Sequence, residues 1–175
     1  KINVEKLNLY NTALKLHMPG DTMVVGAKFG RAALTKTNID LLKKSYRVQS
    51  LNWQSGMLTY DMMYQKRAKQ GFDAAHISMT DLNLGVDSLA YDSTGIAANI
   101  RTANFKEKSG LIVNDLRTNF RLDANRFYLT PLYLRMPNTE LRGNFIMDLN
   151  AFADKNPGKF KINLDGFTHK NDLHA

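Results

Sequence analysis

The sequence predicts an all-β protein, and three observations carry that prediction. From Thr139 to Leu149 every odd position is small or apolar: Thr139, Leu141, Gly143, Phe145, Met147 and Leu149. The even positions between them are polar except Ile146. Period two describes a strand with one dry and one wet face, and at ~3.3 Å per residue this one spans roughly 36 Å, about twice the usual length. Composition is the second observation. The chain holds 13 Asp and 17 Asn against only 3 Glu (Glu5, Glu107 and Glu140), and Asp and Asn make turns where Glu favours helix. Third, no convincing amphipathic helix runs for about ten residues or more.

Taken in order, alternating segments recur with turn signals between them. Leu14, Leu16 and Met18 end at Pro19-Gly20-Asp21, and Met23, Val25, Ala27 and Phe29 form one face of the next strand. Arg31 to Lys44 reads as a strand pair or a short helix, and Thr35, Thr37 and Ile39 favour strands. Tyr46 to Trp53 precedes a turn at Ser55-Gly56, and Leu58, Tyr60, Met62 and Tyr64 follow it. Phe72 to Met79 begins after Gly71, and Leu82, Leu84 and Val86 lead towards the turn Asp92-Ser93-Thr94-Gly95. Ile96, Ala98 and Ile100 open a strand that ends before Lys108-Ser109-Gly110. Beyond it, Ile112, Leu116, Phe120 and Leu122 alternate with Val113, Asp115, Arg117 and Arg121. Tyr128, Leu132, Leu134 and Met136 lead to Pro137-Asn138. "NAFADKNPGK" is the most helix-like turn, and "FKINLDG" is a final strand with Phe160, Ile162 and Leu164 inward. The total is about a dozen strands. They form one module over residues 1–168, followed by a polar tail at 169–175.

A repeat runs through the first two thirds. "KLNLYNTALKL" (6–16), "SLNWQSGMLTY" (50–60) and "DLNLGVDSLAY" (81–91) superimpose without gaps, and "TANFKEKSGLIV" (102–113) fits with one insertion. The copies are unevenly spaced, so this is not a solenoid period. It reads as a recurring hairpin, apolar on one face and with an Asn on the other.

The chemistry that the residues exclude is as informative. Net charge is +8 with a pI near 9.7, which favours anionic partners. The cations are scattered apart from groups such as Lys66-Arg67-Ala68-Lys69, whereas nucleic-acid binders concentrate charge beside exposed aromatics; nucleic acid is not expected. The stretch at 65–70 reads as a solvated turn or as a contact for anionic headgroups. There is no cysteine, hence no disulfide and no thiolate metal site. No apolar run is long enough for a spanning helix or a signal sequence, so a membrane anchor is expected outside these residues. His17, His76, His169 and His174 form no metal-ligand pattern, and no serine sits in a nucleophile elbow. "GAKFGRAALT" lacks phosphate-loop spacing. An enzyme is not expected, and no cofactor.

Residues 75 to 145, above all "HISMTDLNL", "FKEKSGLIVNDL" and "LYLRMPNTELRG", resemble the AsmA-like repeat region of TamB-type proteins. These are the translocation and assembly module proteins of Gram-negative envelopes, and the Bacteroides-type sequences are the nearest in pattern. Residues 1 to 74 fit more loosely. The resemblance implies an elongated antiparallel sheet curled into a taco or U-shaped groove, apolar inside. It implies a periplasmic section of an inner-membrane-anchored protein that moves phospholipid or assists outer-membrane assembly. The 175 residues include neither an N-terminal anchor nor a module for docking an outer-membrane barrel, so any such barrel would be met through other regions.

On that reading Leu116, Phe120, Leu122, Leu132, Leu134, Leu141, Phe145, Met147 and Leu149 line one concave surface. Phospholipid acyl chains need apolar area and little directional bonding, at ~0.8 kcal/mol per buried CH₂, and the 8 Met suit a partner of no fixed shape. The alternative is a closed β-sandwich that binds glycan or protein at its loops. The fold class itself has a direct check. Far-UV circular dichroism should show far less helix than the roughly one third of an ordinary domain, and more than about a quarter would contradict it.

Overall fold

In the computed structural model the chain is a single antiparallel sheet. The structure describes residues 1–17, 22–73, 75–148 and 160–167, the last strand as backbone apart from Asn163 and Asp165. Nine strands follow one another in space as they do in sequence: β1 (Ile2–His17), β2 (Met23–Asp40), β3 (Ser45–Met62), β4 (His76–Asp92), β5 (Gly95–Glu107), β6 (Ile112–Leu122), β7 (Arg126–Arg135), β8 (Glu140–Asp148) and β9 (Phe160–Phe167). The sheet is not closed into a barrel, because β1 and β9 each have a sheet neighbour on one side only. Among the described residues every strand belongs to this one sheet, and substantial backbone contacts run only between adjacent strands. Strands shorten from 18 residues in β2 and β3 to 8 in β9, which gives the sheet a wedge outline.

Among the described residues the count is nine, against an expected dozen, because several sequence turns are not turns. Ser55-Gly56 lies inside β3, and Arg31 to Asp40 is the second half of β2, followed by a tight turn at 41–44. The repeated segments at 6–16, 50–60 and 81–91 each lie within one strand, so they are not hairpins; the copy at 102–113 alone crosses a turn. Phe72 precedes β4, which starts at His76. The turn at Pro19-Gly20-Asp21, the segment 150–159, Leu149 and the tail 169–175 lie outside the described residues, as do the side chains of Phe160, Ile162 and Leu164.

What the repeats encode is a rhythm of spacing. Mostly apolar series run through β1 at Ile2, Val4, Leu7, Leu9, Thr12, Leu14 and Leu16, and through β3 at Tyr46, Val48, Leu51, Trp53, Gly56, Leu58, Tyr60 and Met62. Two-residue steps are broken by three-residue steps, which would throw later residues onto the opposite face of a regular strand. The backbone compensates. Asn11, Lys36, Ser55, Asp81 and Ser88 all have positive φ, between 46° and 56°, and each immediately precedes the residue that resumes the apolar series. The ladder pairs Tyr10 with Arg31 and Thr12 with Phe29, skipping Asn11 and Gly30. Between β3 and β4 the register shifts on both sides of Gly56. The departures at Ser55, Asp81 and Ser88 coincide with register shifts and are bulges; at Asn11 and Lys36 the ladder skips one residue on both strands and its register is unbroken.

Trp53 shows the consequence directly. It is buried, its indole N–H donates to the Lys28 carbonyl at 3.1 Å, and its ring lies 4.4 Å from that of Phe29. A Cβ at Gly56, an odd three residues away, would meet the Trp53 ring at 1.9 Å, so both positions face the same side. Similar parity changes correct two further readings. Val113 is buried and Ile112 exposed, because β6 takes a three-residue step from Val113 to Leu116. Tyr128 lies on the polar face with Arg121 over its ring, because β7 shifts register between Leu129 and Leu132, around Pro131. Phe127 and Leu129 take the apolar face instead.

The Gly56–Trp53 contact yields a clean test, since Trp53 is the chain's one tryptophan. Gly56→Ala drives a methyl into the indole, so it should destabilise the sheet by about 1–3 kcal/mol and expose Trp53. A red-shifted emission spectrum with a lowered denaturant midpoint is the expected result; unchanged emission would contradict the packing.

Candidate functional site

Strand register brings the candidate residues together. Leu116 of β6 stands opposite Leu134 of β7, which stands opposite Leu141 of β8. Phe120, Leu129 and Phe145 form the next row, and Leu122, Phe127 and Met147 the row beyond. Leu132 pairs with Thr118 on one side and Gly143 on the other. Eight of the nine expected lining residues therefore share one face; Leu149 lies outside the described residues. Phe127 joins the rows, its ring edge-on to Phe120 at 5.5 Å and to Phe145 at 5.9 Å. Sequence reading missed Phe127 and Leu129 by carrying strict alternation back through Pro131, where a proline inside a strand already signals a break in the ladder.

The same face continues across the sheet. Ile39, Tyr46, Tyr91, Ile96, Leu122, Phe127 and Met147 form one unbroken apolar row over seven strands. Tyr46 and Tyr91 touch at 5.8 Å between ring centroids. Lateral contact of this kind covers the sides of each side chain but not its top. Seven of the eight lining residues are accordingly half-buried, and Leu132 alone is buried. Towards β1, Ile2, Leu7, Leu14 and Leu16 are exposed.

The opposite face is polar and internally neutralised. Arg117 and Arg142 flank the Tyr133 ring at 5.5 and 5.1 Å, and each also holds a carboxylate, Asp115 at 2.6 Å and Glu140 at 2.8 Å. Arg101 binds both oxygens of Asp87, and Asn83 donates to Asn104 at 2.9 Å. A shallow depression of about 660 Å³ opens here, lined by Asn99, Arg101, Arg117, Asn119, Tyr133, Arg142 and Asn144 among others. Since each of its three arginines carries its own acid, the depression offers little net charge to an anion.

The connections account for the abundance of Asp. Asp92 accepts the Thr94 N–H and hydroxyl, Asp123 the N–H groups of Asn125 and Arg126, and Asp40 that of Lys43. In the loop between β3 and β4, Asp73 accepts the N–H groups of Ala68 and Ala75 and pairs with His76 at 2.9 Å. His76 is buried, its second nitrogen 3.5 Å from Asp61. Glu107 is buried too and accepts the N–H groups of Ser78 and Ser109. Among the described residues no group of His, Asp and Glu could hold a metal ion, and no helix is long and apolar enough to cross a membrane. His169 and His174 lie outside the described residues. No protein-family model, curated protein or solved structure matches the chain, so the comparisons do not identify a TamB-type or AsmA-like family.

The turn carboxylates set a pH dependence. Hydrogen bonds hold four of them below the ordinary range: at Asp40 mainly the Lys43 N–H, at Asp73 the Ala68 N–H, at Asp92 the Thr94 hydroxyl and at Asp123 the Asn125 N–H. At Glu107 burial pushes the value up, but hydrogen bonds from Ser109 and Ser78 bring it below normal overall. A lowered folded value means that the stabilisation is present in full above the unfolded pKa of ~4 and is lost as pH falls through the folded value. The thermal midpoint should therefore drop below about pH 4, and Asp92→Asn should weaken that drop. A midpoint that ignores acid would contradict it.

Proposed function

We propose that this chain is a section of a lipid conduit whose apolar face holds phospholipid acyl chains. One observation carries the reading. Strand register aligns apolar side chains in contiguous rows across the sheet, and most of those in β6 to β8 stay partly exposed. A partly exposed apolar face of this extent is what a binding surface requires. Acyl chains fit it because the face offers area without polar anchors, and each buried CH₂ contributes ~0.8 kcal/mol. Curling of the sheet towards that face would make it the inner lining of a groove. Nine strands at ~4.8 Å give a run of about 38 Å across the sheet, suited to part of a longer path. The resemblance to TamB-type repeats supports a periplasmic setting within an inner-membrane-anchored envelope protein, with any outer-membrane assembly barrel met through other regions. The reading assigns no catalytic group. The sandwich alternative requires a second sheet, and the described strands all belong to one.

The test uses the two faces of β8. Leu141 and Phe145 stand in the apolar rows, whereas Arg142 stacks on Tyr133 and Asn144 bonds Thr130 on the polar face. A photoreactive residue introduced singly at 141, 142, 144 or 145 in lipid-containing membranes should give lipid adducts at 141 and 145 and none at 142 and 144. Adducts at neither pair in folded protein, or protein adducts at 141 and 145, would mean that another protein surface covers the face.

A further inference from the structure

The connection between β3 and β4 is far longer than its job requires. Thirteen residues, 63–75, separate Met62 from His76, whereas two residues, Ser93 and Thr94, join β4 to β5. Antiparallel neighbours need only about two to five. Apart from Ala74, which lies outside the described residues, the loop has a defined shape. Met63 N–H donates to the Thr22 carbonyl at 3.2 Å, Gln65 N–H to that of Met62 at 3.0 Å, and Ala68 N–H to the Asp73 carboxylate at 2.9 Å. Among the described residues the two carboxylates bonded to this loop are already engaged: Asp73 is buried against His76, and Asp61 pairs with Arg67. The outer surface is left apolar and cationic. Met63, Tyr64 and Phe72 are 57%, 76% and 51% exposed, and Lys66 and Lys69 lie exposed between them.

We propose that this loop is a docking element for the surface of an anionic phospholipid bilayer. Its chemistry matches the headgroup layer at both depths. Amphipathic rings settle at the level of the headgroups, and Lys and Arg gain from the negative surface potential. Folding gives no reason to expose three large apolar side chains on a loop held in shape by its own hydrogen bonds. An order imposed before contact lowers the entropy cost of binding. The loop sits at the end of the sheet where Leu14 and Leu16 leave the apolar face exposed, since β1, β2 and β3 meet there through His17, Val24, Met23 and Met62. A bilayer docked at this end would stand at the mouth of the acyl-chain path; that placement rests on the proposed function, while the docking itself does not.

The experiment floats the 175-residue chain on phosphatidylcholine vesicles with and without phosphatidylglycerol. Binding is expected on the anionic vesicles only, and should weaken as salt rises. Each cation removed should cost about five-fold in affinity, so Lys66→Glu with Lys69→Glu should lower binding by at least about twenty-five-fold. Tyr64→Ser with Phe72→Ser should weaken it comparably, with an unchanged thermal midpoint in both variants because these side chains are exposed. Leu42→Ser, at the opposite end of the sheet where Leu42 is 97% exposed beside Lys43 and Lys44, should bind as the parent does. No binding, equal binding to neutral vesicles, indifference to the loop changes, or loss on Leu42→Ser would each overturn the proposal. A chain that docks but gives no lipid adducts at 141 and 145 keeps the docking and loses the conduit; the reverse result does the opposite.

Discussion

The described strands form one open sheet, so its apolar side chains must find their cover within that sheet, and this constraint governs the rest of the molecule. Cover comes from cross-strand neighbours, through pairs such as Phe127 with Phe120 and Phe145. Cross-strand pairs contribute about 0.2–1 kcal/mol each, so stability must come from many of them, set in rows by a continuous hydrogen-bonded ladder. Strands of 16 to 18 residues in β1 to β4 supply those rows. The long strands and the one-sided pattern are therefore one requirement seen twice.

Such a ladder must keep its register along its whole length, because a one-residue slip would carry a row such as Ile39–Tyr46–Tyr91–Ile96 to the wet face. Here the spacing of apolar residues is irregular, and the backbone absorbs the irregularity at Asn11, Lys36, Ser55, Asp81 and Ser88. A non-glycine residue at positive φ costs of order 1–3 kcal/mol, and Asn, Asp and Ser tolerate it best by bonding the nearby backbone. At Ser55 a cross-strand bond adds support, its backbone N–H donating to the Asn83 side chain of β4 at 3.0 Å. Each bulge also increases local twist, which bends a sheet that would otherwise lie flat.

The two faces divide the chemistry. On the polar side arginines are matched by acids and stacked on tyrosines, so the net charge of +8 has no focus there. Exposed cations also stand at connections, with Lys43 and Lys44 at one end and Lys66 and Lys69 at the other. The proposed conduit would draw on these features together: area along one face, neutrality on the other, and charge at the ends, where headgroups would be met.

All-β architecture was legible in the sequence because period-two patterning and Asp-rich turns are local properties. The turns at Asp92-Ser93-Thr94-Gly95, Lys108-Ser109-Gly110 and Pro137-Asn138 all fall between strands. Leu116, Leu134 and Leu141 could be assigned to one face from alternation within their own strands. Ser55-Gly56 misled, since the same residue types serve a turn and a bulge, and only the strands on either side decide which. Ile112 was exchanged with Val113, and Tyr128 with Phe127, for the same reason: a bulge reverses parity without leaving an unambiguous local mark. That the described strands join into one sheet in sequence order was not legible at all. Alternation records that a strand has a dry side, but what lies against that side depends on how distant strands are arranged, and that is decided in three dimensions.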